Sequence, residues 1–78
     1  MGTMVTGSDK KGASLWYVDN DATRIKGTLF SVGSGSTFAY GVLDNHVKWD
    51  MSFDEAVRVA IRAIASATHK DSASGGVV

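Results

Sequence analysis

Residues 25–44 read "IKGTLFSVGSGSTFAYGVLD", and the spacing of their apolar side chains changes half-way along. In 25–32, "IKGTLFSV", β-branched and aromatic residues predict a strand, with Gly27 marking a bulge. "GSGS" at 33–36 interrupts it, since clustered glycine and serine favour turns. Phe38, Ala39, Val42 and Leu43 then recur at helical spacing, which predicts a short helix from Ser36 to Asp44. Gly41 weakens that helix by about 1 kcal/mol relative to alanine unless close packing needs the gap. A strand thus hands over to a helix through a tight glycine turn.

Upstream, "TMVTG" (3–7) reads as a short strand closed by the turn-rich "SDKKG". "ASLWYV" (13–18) is an almost unbroken apolar and aromatic run, which suits a strand covered on both faces. "DNDATR" (19–24) is a turn, because Asp and Asn side chains bond to nearby backbone and tolerate left-handed conformations. Three strands joined by short turns make an antiparallel meander.

Downstream, "WDMSFDEAVRVAIRAIASATHK" (49–70) carries the strongest local pattern. Ser52 followed by Glu55 is a capping box, and Met51 with Ala56 forms a weak hydrophobic staple. Phe53, Val57, Ala60, Ile61, Ile64 and Thr68 share one face of the predicted helix; Asp54, Glu55, Arg58, Arg62 and Ser66 share the other. His69 and Lys70 sit in the last turn, where cations suit the helix dipole. The helix is expected over Phe53 to His69. "SGGVV" then gives a turn and the start of a strand. The fold class is α+β, with antiparallel strands followed by two helices and an opening strand, in one region spanning 1–78.

Composition narrows the function. A chain of 78 residues buries only about 60% of the surface its unfolded form exposes, so its margin for folding alone is thin. Neither disulfides nor a metal offers an obvious remedy, because there is no Cys and the histidines, His46 and His69, are far apart. Eight basic residues balance eight acidic ones, which removes the electrostatic case for nucleic acid or an anionic membrane surface. No apolar run approaches the roughly 18 residues a membrane span requires.

Several constellations invite a chemical reading. "SVGSGS" could hold an anion at the start of a helix. The dinucleotide fingerprint, however, wants a glycine where Phe38 stands, and the Gly-Lys-Ser/Thr of a phosphate loop is missing. A tight strand-to-helix turn is the simpler account. His69, Asp71 and a serine could be drawn as a hydrolase triad, yet the position of His69 at a helix end already explains it, and no G-x-S-x-G elbow is present. His46 beside Trp49 and Asp50 offers too few ligands for zinc. The aromatics Trp16, Tyr17, Phe30, Phe38 and Tyr40 suit a core or an interface better than a base-stacking platform. Asp71 and Ser74, followed by Gly75 and Gly76, read by motif alone as a helix stop and a turn.

Taken together, "MGTM", "WYVDNDATRIKGTLFSVGSGSTFAYGVLD", "KWDMS" and "HKDSASGGVV" resemble the second half of a beta-type subunit of the proteasome core particle, nearest the type-5 class with chymotrypsin-like activity. The resemblance covers nearly the whole chain. It implies an N-terminal-nucleophile (Ntn) hydrolase fold, two antiparallel sheets between helix layers, of which this chain holds a part. It also implies a threonine-type endopeptidase that cleaves after large apolar residues. The nucleophile of such a subunit is a threonine exposed at the mature N-terminus, whose own amine serves as the base.

Three positions carry over as supporting members of that active site. Ser34 resembles the serine that hydrogen-bonds near the threonine amine, and Asp71 and Ser74 resemble the pair that orients the amine and tunes its proton affinity. Ser72-Ala73 stands where the family commonly has Ala-Tyr. Gly2-Thr3 imitates a processing junction, but the "MVTGSDKKG" stretch that follows Gly2-Thr3 matches an internal strand, so Thr3 is expected to be a decoy and the nucleophile to lie outside this chain. The resemblance further implies no cofactor and no metal, neighbouring beta and alpha subunits in a stacked-ring assembly, unfolded protein or peptide substrates, no nucleic acid and no membrane, and a place in cytoplasm and nucleus. The competing reading is a catalytically inactive beta-type subunit or fragment that serves only in assembly.

Overall fold

The computed structural model describes residues 2–78. The order of elements is β1 (Thr3–Asp9), β2 (Gly12–Val18), β3 (Arg24–Gly27), α1 (Ser36–His46) and α2 (Phe53–Lys70). They fall into two compact units, Met1–Gly33 and Ser34–Val78.

The first unit is an antiparallel meander in the order β1-β2-β3. Asp9 pairs with Gly12 at the first hairpin and Val18 with Arg24 at the second. The Asp9 carboxylate accepts from the Lys11 backbone N–H at 2.8 Å, and Gly12 takes up a φ of 111° that L side chains rarely adopt. Asp19 organises the second turn by the same chemistry, since its Oδ1 accepts from the N–H groups of Asp21 and Thr23 at 3.0 and 3.1 Å. Ala22, at φ 63°, completes that turn.

Register explains why "ASLWYV" is apolar on both faces. Trp16 lies opposite Val5 and Lys26, with the Arg24 guanidinium 5.1 Å and the Lys26 ammonium 5.9 Å from its ring centroid. On the other face Tyr17 meets Phe30, ring centroids 5.9 Å apart. The strand expected over 25–32 ends at Gly27 instead. The chain bends at Thr28, and the Phe30 ring folds back over the bare backbone of Gly27, where a Cβ would come within 2.7 Å of it. Gly27 therefore ends the strand by admitting an aromatic ring rather than by making a bulge.

The second unit is a helix pair. α1 runs two residues further than the spacing predicted, to His46, and α2 runs from Phe53 to Lys70. Ser52 caps α2: its Oγ accepts from the Glu55 N–H at 3.1 Å and donates to the Glu55 carboxylate at 3.1 Å. The core between the helices is made of small residues, Ala39 from α1 with Ala63 and Ala67 from α2, flanked by Phe38, Val42 and Leu43. Each buried methyl contributes on the order of 0.8 kcal/mol, so this core is modest and its merit is close approach.

The consequence for α2 departs from its sequence pattern. The stripe of large apolar residues does not face α1. Phe53 is 82% exposed, Ile61 48% and Ile64 52%, and it is the alanine face that packs. The strand expected to open at Val77 does not form among the described residues; Gly76 turns the chain at φ 96° and both valines are exposed. A lone two-residue segment gains no ladder hydrogen bonds without a partner strand.

Candidate functional site

α2 stops at Asp71, whose backbone N–H donates to the Ala67 carbonyl at 2.8 Å while its own φ and ψ, −91° and 122°, leave the helix. The chain then turns, with the Ser74 N–H donating to the Asp71 carbonyl at 3.1 Å. That turn returns the Ser74 hydroxyl to the Asp71 side chain, and Ser74 Oγ donates to Asp71 Oδ2 at 2.7 Å. From the turn ahead of α1, Ser34 Oγ reaches the same oxygen at 2.6 Å. Ser34, Asp71 and Ser74 thus form one cluster.

Both contacts have the length usual for O–H···O⁻ bonds, as expected when the acceptor is ionised. Their effect on the carboxyl group follows directly. The Ser34 hydroxyl first, then the Ser74 hydroxyl, and last the Ala73 backbone N–H hold Asp71 below the ordinary value of 3.8, against a smaller upward push from desolvation. Asp71 is therefore a carboxylate at neutral pH, and a carboxylate only accepts. Each serine proton is committed to it. What the two hydroxyls still offer the surroundings is lone pairs. Chemically, such an arrangement can accept from an N–H donor, and a cationic one best, because the charge beneath it is negative.

The same charge argues against an anion at the "GSGS" turn. Gly35 forms the N-cap of α1 with no side-chain cap, and the carboxylate of Asp71 lies against this turn through Ser34. A phosphate there would meet a like charge at close range.

The other residues singled out in the sequence lie elsewhere. Thr3 sits within β1, paired with Val18 and exposed, and Gly2 packs against Tyr17 and Val32. His69 is exposed in the last turn of α2, and His46 is half-buried in the last turn of α1. No group of three or more His, Cys, Asp or Glu suited to a metal occurs among the described residues. Among the described residues, no helix is long and apolar enough to cross a membrane.

Gly35 and Ala67 were not legible as part of this site. They lie under it, where the turn ahead of α1 meets the end of α2. Small residues at these positions read in the sequence as ordinary turn and helix formers. The available signal was the alanine at the helix position four before Asp71.

Comparison with known proteins decides the family. Residues 1–78 match the family described as proteasome subunit. The chain belongs to that family. It is 60% identical over all of its 78 residues to the probable proteasome subunit beta type-5 of Schizosaccharomyces pombe, and 59% identical to the proteasome subunit beta type-5 of Dictyostelium discoideum. Identity to the proteasome subunit beta type-8 of Rattus norvegicus is 56% over the same length. The chain spans 29%, 29% and 28% of these three relatives. The three antiparallel strands and two helices are part of the α+β Ntn fold expected of a proteasome subunit.

Proposed function

We propose that residues 1–78 are one region of a beta-type proteasome core subunit, and that Ser34, Asp71 and Ser74 support a threonine nucleophile supplied by another part of the same protein. The observation that carries this reading is the convergence of both serine hydroxyls on one oxygen of Asp71, at 2.6 and 2.7 Å. A terminal amine that acts as base must point one way and hold its proton with controlled affinity. Two hydroxyl lone pairs over a carboxylate supply the direction, and the negative charge sets the affinity. The threonine hydroxyl, losing its proton to that amine, attacks the scissile carbonyl; the amine then returns the proton to the leaving amide nitrogen.

In this account the whole protein is a threonine endopeptidase that cleaves after large apolar residues, and the 78-residue chain alone is inactive. Neighbouring beta and alpha subunits cover surfaces that stand open here, among them the apolar stripe of α2. Unfolded protein or peptide is the substrate, and the setting is cytoplasm and nucleus. Identity to type-5 relatives and the Ser34, Asp71, Ser74 cluster both favour the active reading over an inactive sibling.

A peptide epoxyketone tests the assignment, because it needs both a hydroxyl nucleophile and an adjacent free amine. The full-length assembled protein is expected to be labelled at a threonine outside residues 1–78, and the 78-residue chain to remain unlabelled. Labelling of Thr3 would overturn the reading.

A further inference from the structure

Gly35 has an ordinary backbone. Its φ of −88° and ψ of 8° lie in the bridge region, which non-glycine residues also occupy, so conformation alone does not call for glycine. Space does. A Cβ built there would stand 3.0 Å from Ala67 Cβ, 3.2 Å from Ser74 Oγ and 3.4 Å from Asp71 Cβ. Gly35 is buried, although its neighbour Ser34 is exposed. These three contacts belong to two of the three members of the site and to the alanine one helical turn before Asp71.

We infer that Gly35 is a positioning residue of this site: the absence of its side chain sets the depth at which the turn seats on the end of α2, and so the reach of Ser34 to Asp71. The inference rests on the proposed role of Ser34, Asp71 and Ser74. Its physical basis is the steepness of short contacts. A methyl group at 3.0 Å must be relieved by a few tenths of an ångström, because carbon atoms pack at about 3.5–4.0 Å. The turn and helix end separate by that much, and the 2.6 Å bond between Ser34 and Asp71 lengthens with them. Ser74 Oγ, displaced directly, turns away from Asp71 Oδ2. Ala67 is the other wall of the gap, and only a residue as small as alanine permits this seating.

The test uses the full-length assembled particle and a fluorogenic peptide with a large apolar residue before the scissile bond. Variants G35A, A67G, G35A/A67G and D71N are compared by kcat and KM. G35A is expected to lower kcat about tenfold, as small misplacements at a reacting centre do, with KM changed less than about twofold. G35A/A67G is expected to recover part of the loss relative to A67G, because the 3.0 Å contact is removed while the 3.2 Å approach to Ser74 Oγ remains. If D71N lowers kcat but G35A does not, or if A67G fails to relieve G35A, the inference about Gly35 is wrong while the site reading stands. Should D71N leave kcat at the wild-type value, the site reading fails and takes the inference with it. If G35A does not assemble, the double variant decides: assembly with kcat recovered at least in part supports the inference, and any other result overturns it.

Discussion

Ser34 and Asp71 are 37 residues apart in the chain and 2.6 Å apart in space, one hydroxyl hydrogen from contact. Neither residue is buried, so the bond survives without the shelter of a core. Its reason for being lies in the turn ahead of α1 and the end of α2, which meet at residues small enough to let it form.

Loss of either partner should show in the chemistry rather than in assembly. In the full-length particle, Asp71→Asn is expected to lower kcat on the order of 10²-fold, and Ser34→Ala and Ser74→Ala about tenfold each. Asn keeps the shape and removes the charge. Steady-state peptide hydrolysis measures this, with size-exclusion chromatography to establish assembly. Equal losses for all three would mean that charge is irrelevant.

The ionisation of Asp71 has a defined pH window. Its folded pKa lies below the ordinary 3.8, so the stabilisation it brings is fully present above that value and is lost as pH falls through the lower folded one. The stability difference between the wild-type particle and Asp71→Asn should therefore be flat from about pH 7 to about pH 5 and shrink only below about pH 4. Chemical denaturation across that range measures it. A difference already shrinking at about pH 6 would mean that the carboxyl is raised, contrary to the two hydroxyl donors.

Helix α2 should be sensitive at its first turn. Ser52→Ala removes the acceptor for the Glu55 N–H and leaves that donor to water. The expected cost is about 1 kcal/mol in the stability of the full-length subunit, read by denaturant titration. Ser52→Asp should be nearly neutral, since Asp also accepts at an N-cap.

The apolar stripe of α2 predicts the behaviour of the isolated chain. With Phe53, Ile61 and Ile64 exposed, the 78-residue polypeptide should self-associate and show no cooperative monomeric unfolding transition. Replacing Ile61 and Ile64 by Ser should shift it toward monomer in sedimentation velocity. A sharp thermal transition of a monomer would show that the stripe needs no cover.

Much of the architecture was legible in the chain. The 13–18 strand, both turns and the capped helix from Phe53 follow from local chemistry: Asp side chains bonding their own turns, and Ser52 with Glu55. The limits of legibility are long-range. Nothing local says that Phe30 would fold over Gly27 and end β3, or that α2 would present alanines to α1 and leave its larger residues outward. Periodicity reports how hydrophobicity is distributed round a helix, not which part of a broad apolar arc a given neighbour takes. Motif chemistry does not reveal the cluster either, since Asp71 and Ser74 on their own spell a helix stop and a turn. Only resemblance joined them to Ser34, and the structure then placed the three on one carboxylate oxygen.

The most direct measurement is a high-resolution structure of the intact, assembled protein, with the free amine of the mature terminal threonine resolved. That nitrogen is expected within about 2.6–3.2 Å of the Ser34 or Ser74 hydroxyl, with both hydroxyls still donating to Asp71. An amine more than about 5 Å from all three side chains, or a cluster opening onto some other group, would contradict it.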